Sequence, residues 1–271
     1  MSGRIRLRQI CMVVEQLEPI LDRLIEVFDL RVCHGKGDLS RYGVPDQAPP
    51  SYQAAFFAHH GIRGALLPVG DTFLEVIAPL RPDVSAARYL QRRGEGGYMV
   101  ITEVDDLQRW RDRAAAQAVR IAGAVDYPTY QELQLDPRDV GASILSFSMQ
   151  RVGRPFDGGW FPAGEAWQER AAPGWQGIVC ARLSSTDPEG LAGRWSNVLD
   201  RPLMADRGVP RIDLDEGTIE FQRINGPARL SGIDLAGASF GPSLARACEA
   251  ERTADGQGIR IAGLEFREGS T

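Results

Sequence analysis

Gly70-Asp71-Thr72-Phe73-Leu74-Glu75 and Glu216-Gly217-Thr218-Ile219-Glu220-Phe221 read as one strand entrance written twice. In both, a glycine for the turn is followed by a threonine and an apolar strand interrupted by a glutamate. Upstream, Phe28-Asp29-Leu30-Arg31 and Leu199-Asp200-Arg201-Pro202 close two helical stripes in the same way. Outward from these matches, one unit recurs: a strand, a turn, an amphipathic helix, then more strands. The first copy has a strand over 5–14 and a helix over 17–29, with Leu17, Ile20, Leu21, Leu24, Ile25 and Phe28 on one face. The second has a strand over 98–104, then Asp105-Asp106 leading a helix that buries Leu107, Trp110, Ala114 and Ala118. The third has a strand over 177–183, a Ser185-Thr186-Asp187-Pro188 cap, and Leu191, Trp195, Val198 and Leu199 on its helix. The fourth has a strand over 230–235 and a helix after Pro242 through Leu244, Ala247 and Cys248. A repeat of this kind sets the architecture before any motif does.

The repeats pair into two modules, 4–150 and 174–271, the second shorter, its last copy expected to lack a strand or to turn more tightly. Between them Arg151 to Pro173 is rich in Gly and Pro yet carries Phe156, Trp160, Phe161 and Trp167, so it is expected to be an ordered strap. With 271 residues the chain is long enough for two cores. Its net charge of −5, with both signs interspersed, argues against nucleic acid as the main partner. No apolar run approaches the roughly 18 residues of a membrane span, and the first residues lack a signal-peptide core. Cys11, Cys33, Cys180 and Cys248 show no CxxC pairing, which reads as reduced thiols in a cytoplasmic protein. The single lysine, Lys36, falls in His34-Gly35-Lys36-Gly37, which reads as an exposed loop.

Leu67-Pro68-Val69-Gly70-Asp71-Thr72-Phe73-Leu74-Glu75-Val76, Gly96-Gly97-Tyr98-Met99-Val100 and Asp136-Pro137-Arg138-Asp139-Val140-Gly141 are similar to the corresponding segments of the vicinal oxygen chelate superfamily, in its glyoxalase-like subgroup. That superfamily includes glyoxalases, bleomycin-resistance proteins and extradiol dioxygenases. The resemblance implies an α+β fold of tandem βαβββ units, forming two modules whose mixed sheets curl into cups, with the functional cup in the first. It also implies four metal-ligand positions, which here carry Gln9, Glu75, Tyr98 and Ser146. The family usually has His or Gln, Glu, His and Glu there, so Tyr98 and Ser146 depart from the pattern. Gln9 and Glu75 alone would hold Mn, Fe, Zn or Mg weakly, and the expectation is either no required cofactor or such a loosely held metal. Cys180 and Glu220 are the nearest analogues in the second module.

Glu75 carries the strongest expectation of chemistry. Strand alternation places it with Phe73 and Ile77, where a carboxylate is a ligand, an acid or base, or half of an ion pair. Tyr98 is read as a hydrogen-bond donor to a substrate oxygen. Gln9, expected to alternate with Leu7 and Cys11 on the first strand, is read as a substrate or metal contact, and Ser146 and Asp136 as substrate contacts. His59 and His60 are the imidazoles nearest Glu75 in sequence and the default proton carriers. In an extended chain only one of the two would reach the cup. Asp136, where the subgroup has His, is expected in a turn paired with an arginine at the cup rim. Gly237-Ala238-Ser239-Phe240-Gly241 fits the G-x-S-x-G pattern, but no histidine follows residue 60, so a serine-hydrolase triad is excluded. No phosphate loop or dinucleotide fingerprint is present, so no nucleotide cofactor is expected.

The expected function is a glyoxalase-like small-molecule enzyme of isomerase or lyase type, moving protons on an oxygenated metabolite through Glu75, Tyr98 and His59 or His60. The alternatives are a metal-dependent enzyme such as a dioxygenase, or a protein that sequesters a small molecule as bleomycin-resistance proteins do. The expected partner is a small molecule, with neither nucleic acid nor membrane, and the chain is expected to be a monomer or homodimer.

Overall fold

The computed structural model describes residues 3–46, 50–154 and 156–270. The first unit runs β1 (Ile5–Val13), α1 (Leu17–Phe28), β2 (His34–Lys36), α2 (Ser51–His60), β3 (Ile62–Val69) and β4 (Thr72–Pro79). After α3 (Ser85–Arg93), the second runs β5 (Gly96–Val104), α4 (Leu107–Ala116), β6 (Ile121–Asp126), β7 (Tyr130–Leu135), α5 (Pro137–Val140) and β8 (Ile144–Gln150). The third has β9 (Trp175–Ser185), α6 (Pro188–Leu199), β10 (Leu203–Asp206), β11 (Val209–Asp213) and β12 (Thr218–Arg223). The fourth has β13 (Arg229–Gly237), α7 (Phe240–Arg246), β14 (Gly258–Ile261) and β15 (Leu264–Gly269), with two strands after its helix where the others have three.

The unit ends show why the repeat forms. Asp29 and Asp200 both close their helices in the left-handed conformation, with φ of 56° and 51°. Gly70 and Gly217 both turn the chain into the closing strand with positive φ. Asp106 and Asp187 cap α4 and α6 by accepting from backbone N–H groups of the first turn. α1 buries Leu17, Leu21, Leu24, Val27 and Phe28, each contributing on the order of 1.5–3 kcal/mol of apolar burial.

Within each half, the first strands of the two units pair antiparallel, β1 with β5 and β9 with β13. Each is flanked by its own unit's closing strand in parallel: β4, β8, β12 and β15. Leu230 of β13 meets Gly97 of β5, so the halves fuse into one mixed sheet of fifteen strands among the described residues. Helices α1, α4 and α6 pack one apolar layer on this sheet, which includes Trp110 and Trp195. On the opposite face of the first half, Cys11, Phe73, Ile77, Tyr98, Met99 and Tyr130 form a second layer with Trp160 and Trp167 of the strap. Arg8, fully buried, donates to the carbonyls of Gly158 and Gly159 and lies 5.4 Å from the Trp160 ring, pinning the strap to the sheet.

Two irregularities in the β1–β5 ladder shape this face. Leu7 pairs with Thr102 and Gln9 with Ile101, leaving Arg8 as an extra residue on β1. Cys11 pairs with Met99 and Met12 with Gly97, leaving Tyr98 extra on β5. The first shift changes the simple alternation. Leu7 belongs to the helix-side layer, whereas Gln9 and Cys11 turn to the concave side, because the bulged residue breaks the two-residue period.

Candidate functional site

The concave face of the first half holds a cavity of about 1710 Å³. Gln9 and Cys11 of β1, Lys36 of β2, Glu75 of β4, Tyr98 of β5 and Glu132 of β7 all line it, and Trp160 and Trp167 of the strap close one side. The volume exceeds the roughly 300–1,000 Å³ of an ordinary small-ligand pocket.

Glu75 sits between Phe73 and Ile77, as strand alternation requires, and is 8% exposed. Its Oε2 accepts from Gln9 Nε2 at 2.8 Å, and its Oε1 lies 3.7 Å from Lys36 Nζ. Gln9 in turn accepts at Oε1 from the Trp160 indole N–H at 2.7 Å. An indole nitrogen can only donate, so this contact fixes the amide with its oxygen toward Trp160 and its NH₂ toward Glu75. A side chain 151 residues away in sequence thus orients the group that holds the central carboxylate. Lys36, read from sequence as part of an exposed loop, is instead on a short strand paired with β3, which brings its ammonium to the cavity.

Glu132 is the second carboxyl of the cup, and the sequence reading did not single it out. Tyr130, Glu132 and Gln134 face the cavity from β7, while Leu133 and Leu135 face the helix layer. Glu132 is 7% exposed and its Oε1 makes no hydrogen bond within the protein. Burial raises its pKa, with the charge of Glu75 adding to the effect. Ser146, Gln134 and Lys36 offset part of it. The signal available in sequence was a glutamate two residues from Tyr130, between Gln131 and Leu133, in an alternating strand. Ser143, Thr129 and Gln150 also line the cavity, and Ser143 Oγ, Thr129 Oγ1 and Gln150 Nε2 are buried with no hydrogen bond within the protein. A buried polar atom without a partner is costly, and several of them belong to residues in the wall of this one cavity.

The remaining sequence candidates fall as follows. Tyr98 lines the cavity edge-on to Tyr89, ring centroids 5.1 Å apart, and burial pushes its phenol pKa up, so the hydroxyl keeps its proton. Ser146 is fully buried beneath the cup, 3.5 Å from the Ser148 hydroxyl. Asp136 caps α5 and pairs with Arg138 and Arg120, which lower its pKa and occupy its oxygens at the rim. His59 and His60 both line the cavity, where an extended chain would have allowed one. They end a helix, and neighbours about 100° apart on a helix can share a face that opposed strand neighbours cannot. Burial, with His59 and Lys36 nearby, lowers the His60 pKa to about 4, so its imidazole is neutral at physiological pH.

A chelated metal needs lone pairs converging on one point. At the four positions of the first cup, Gln9 turns its NH₂ toward Glu75, and Tyr98 keeps its phenolic proton. Ser146 lies beneath the cavity, so one carboxylate stands without converging partners and the set does not fit a divalent metal. In the second half, ligand atoms of Cys180, Glu220 and Asp234 lie within 4.8 Å of one another, a spacing able to hold a metal ion. There the Arg182 guanidinium, nearly fully buried, pairs with Asp234 and Glu265 and already supplies a cation.

No family model and no curated protein sequence matches the chain. Solved structures do. A hypothetical protein from Staphylococcus aureus aligns with a TM-score of 0.65 at 12% identity, over 98% of this chain and 99% of that one. A variant of 4-hydroxymandelate synthase from Streptomyces coelicolor aligns at 0.65 and 14% identity, over 91% of this chain and 74% of that one. A variant of methylmalonyl-CoA epimerase from the same organism, in complex with 2-nitronate-propionyl-CoA, aligns at 0.44 and 16% identity, over 56% of this chain and 100% of that one. The two alignments at 0.65 run through both halves, as the four repeated units and the cupped sheet require: the chain has the fold of the vicinal oxygen chelate superfamily, in two tandem modules.

Proposed function

We propose that the cup of a first module, residues 4–150, is the active site of an isomerase- or lyase-type enzyme that moves a proton on an oxygenated small molecule. In this reading the strap over 151–173 is its wall and the module over 174–271 buttresses it. The observation that carries it is the pair of carboxyl groups in unlike environments. Glu75 faces an amide N–H and an ammonium, whereas Glu132 is buried with an unpartnered oxygen and a raised pKa. Two titratable groups with unlike surroundings in one cavity suit an acid and a base. Glu75, held by the Gln9 amide and the Lys36 ammonium, would take a proton from carbon beside a carbonyl. Glu132, which retains its proton to higher pH, would deliver one from its own strand. The Lys36 ammonium and the protonated Tyr98 hydroxyl are the donors available to negative charge developing on the substrate oxygen. Gln9 and Trp160 keep Glu75 aimed.

The test is deuterium incorporation from D₂O into a panel of α-substituted carbonyl compounds, followed by proton NMR, which detects carbon deprotonation before any product is known. Glu75→Gln and Glu132→Gln are each expected to slow exchange by about 10²–10⁴-fold. Exchange that survives both substitutions refutes the assignment.

A further inference from the structure

The cavity is too large for the proton chemistry alone, and its rim carries two unlike kinds of side chain. One kind comes from helix α3, whose Ser85, Arg88 and Arg92 recur at helical spacing and line the cavity together with the buried Ala86. Among the described residues, neither Arg88 nor Arg92 forms a salt bridge; Arg88 donates only to the Asp83 carbonyl and the Ser85 hydroxyl. This contrasts with Arg138 on the same cavity, which Asp136 neutralises. Arg92 in the last turn complements the helix dipole, but Arg88, one turn earlier, has no such reason to be cationic. Arg88 also acts electrostatically on the Tyr98 hydroxyl inside the cup, so its charge is felt at the floor. The rim also carries exposed apolar side chains. Tyr52, Leu80 and Val152 line the cavity and are 44%, 63% and 65% exposed, and only two other large apolar side chains of the described residues, Leu203 and Met204, are comparably exposed.

We propose that the cavity takes an anionic amphiphile, its carboxylate or phosphate group held by Arg88 and Arg92 and its apolar body lying against Tyr52, Leu80 and Val152. The charged and apolar linings and the large volume account for each other: one end of the ligand is read by guanidinium groups, the other by apolar contact, and the reactive carbon is held near Glu75 and Glu132. This inference rests on the cavity being the substrate site proposed above, and it names the substrate class.

Octyl phosphate, octanoate and octanol, titrated below micelle formation by calorimetry and by quenching of the cavity-lining tryptophans, test it without any turnover. Both anions are expected to bind about tenfold more tightly than octanol. That advantage should shrink between 50 and 500 mM salt, roughly a fall of the screening length from 14 to 4 Å. The double variant Arg88→Gln/Arg92→Gln should lose the anion advantage, and Arg111→Gln on the far helix should keep it. Because Arg88 also ties down the Asp83 carbonyl, Arg92→Gln alone and the charge-retaining Arg88→Lys/Arg92→Lys separate loss of charge from loss of structure. Leu80→Ser should weaken all three ligands. Either order of the two anions supports the proposal and identifies the preferred headgroup. Octanol binding as tightly as octyl phosphate, or an anion advantage unchanged in the double glutamine variant, overturns it. Arginine-dependent anion binding in a protein that never exchanges carbon-bound protons would leave this inference standing and remove the catalytic one.

Discussion

Replacing Trp160 by Phe keeps an aromatic ring beside Phe73 and Tyr130 and removes the indole N–H that fixes Gln9. Both partners are 2% exposed, so water does not readily replace the lost donor. Stranding a buried amide oxygen costs about 1–3 kcal/mol. A Gln9 amide that is free to turn also loses its hold on Glu75, whose 2.8 Å hydrogen bond from Nε2 is of the charge-assisted class worth about 1.5–3 kcal/mol. Trp160→Phe alone is therefore expected to cost about 2–4 kcal/mol, the smaller ring adding to the lost bond. Gln9→Met fills similar space with no amide to strand. In that background Trp160→Phe should cost about 1–2 kcal/mol less than in the parent protein. The assay is a double-mutant cycle in urea, read by circular dichroism so that loss of one tryptophan does not affect the signal. Additivity within about 0.5 kcal/mol would show that the indole and the amide act independently. It would remove the strap from the account of how Glu75 is positioned.

Asp234 offers a pH test in the second half. Burial, beside Glu220, raises its pKa to about 6 against the attraction of Arg182 and Arg267. A carboxyl raised in the folded state contributes stability fully present below its unfolded pKa of about 3.9 and lost as pH rises through about 6, here about 3 kcal/mol in all. The unfolding free energy of Asp234→Asn should lack this fall between pH 4 and 6.5, and parallel curves for the two proteins would refute the linkage. His60, lowered to about 4, should show ring resonances that do not move between pH 5.5 and 8, whereas a titration near 6.5 would place it in water rather than at the cavity wall.

The sequence by itself determined what neighbouring residues decide. The helical stripe of α1, the aspartates that cap α4 and α6, the left-handed closures at Asp29 and Asp200 and the glycine turns at Gly70 and Gly217 follow from side-chain period and backbone sterics over a few residues. Together with the repeated strand entrances they were enough for the recurring strand–helix–strand unit and for the face of Glu75, and the resemblance to the superfamily supplied the α+β fold of tandem modules. Five features were decided only in three dimensions. The bulge at Arg8 changed which β1 side chains share the cup, because it depends on how β1 pairs with β5 and not on the order of residues in β1. Lys36 reached Glu75 only through pairing of β2 with β3, and His59 and His60 share the cavity only because they end a helix. Glu132 became chemically distinctive only where β7 and β4 line one cavity, since the cost of burying a charge is set by what surrounds it. Trp160 lies in a Gly- and Pro-rich segment with no period to read. Its hydrogen bond to Gln9 spans 151 residues, and a contact so distant is fixed by the packing of the strap on the sheet and not by any local pattern.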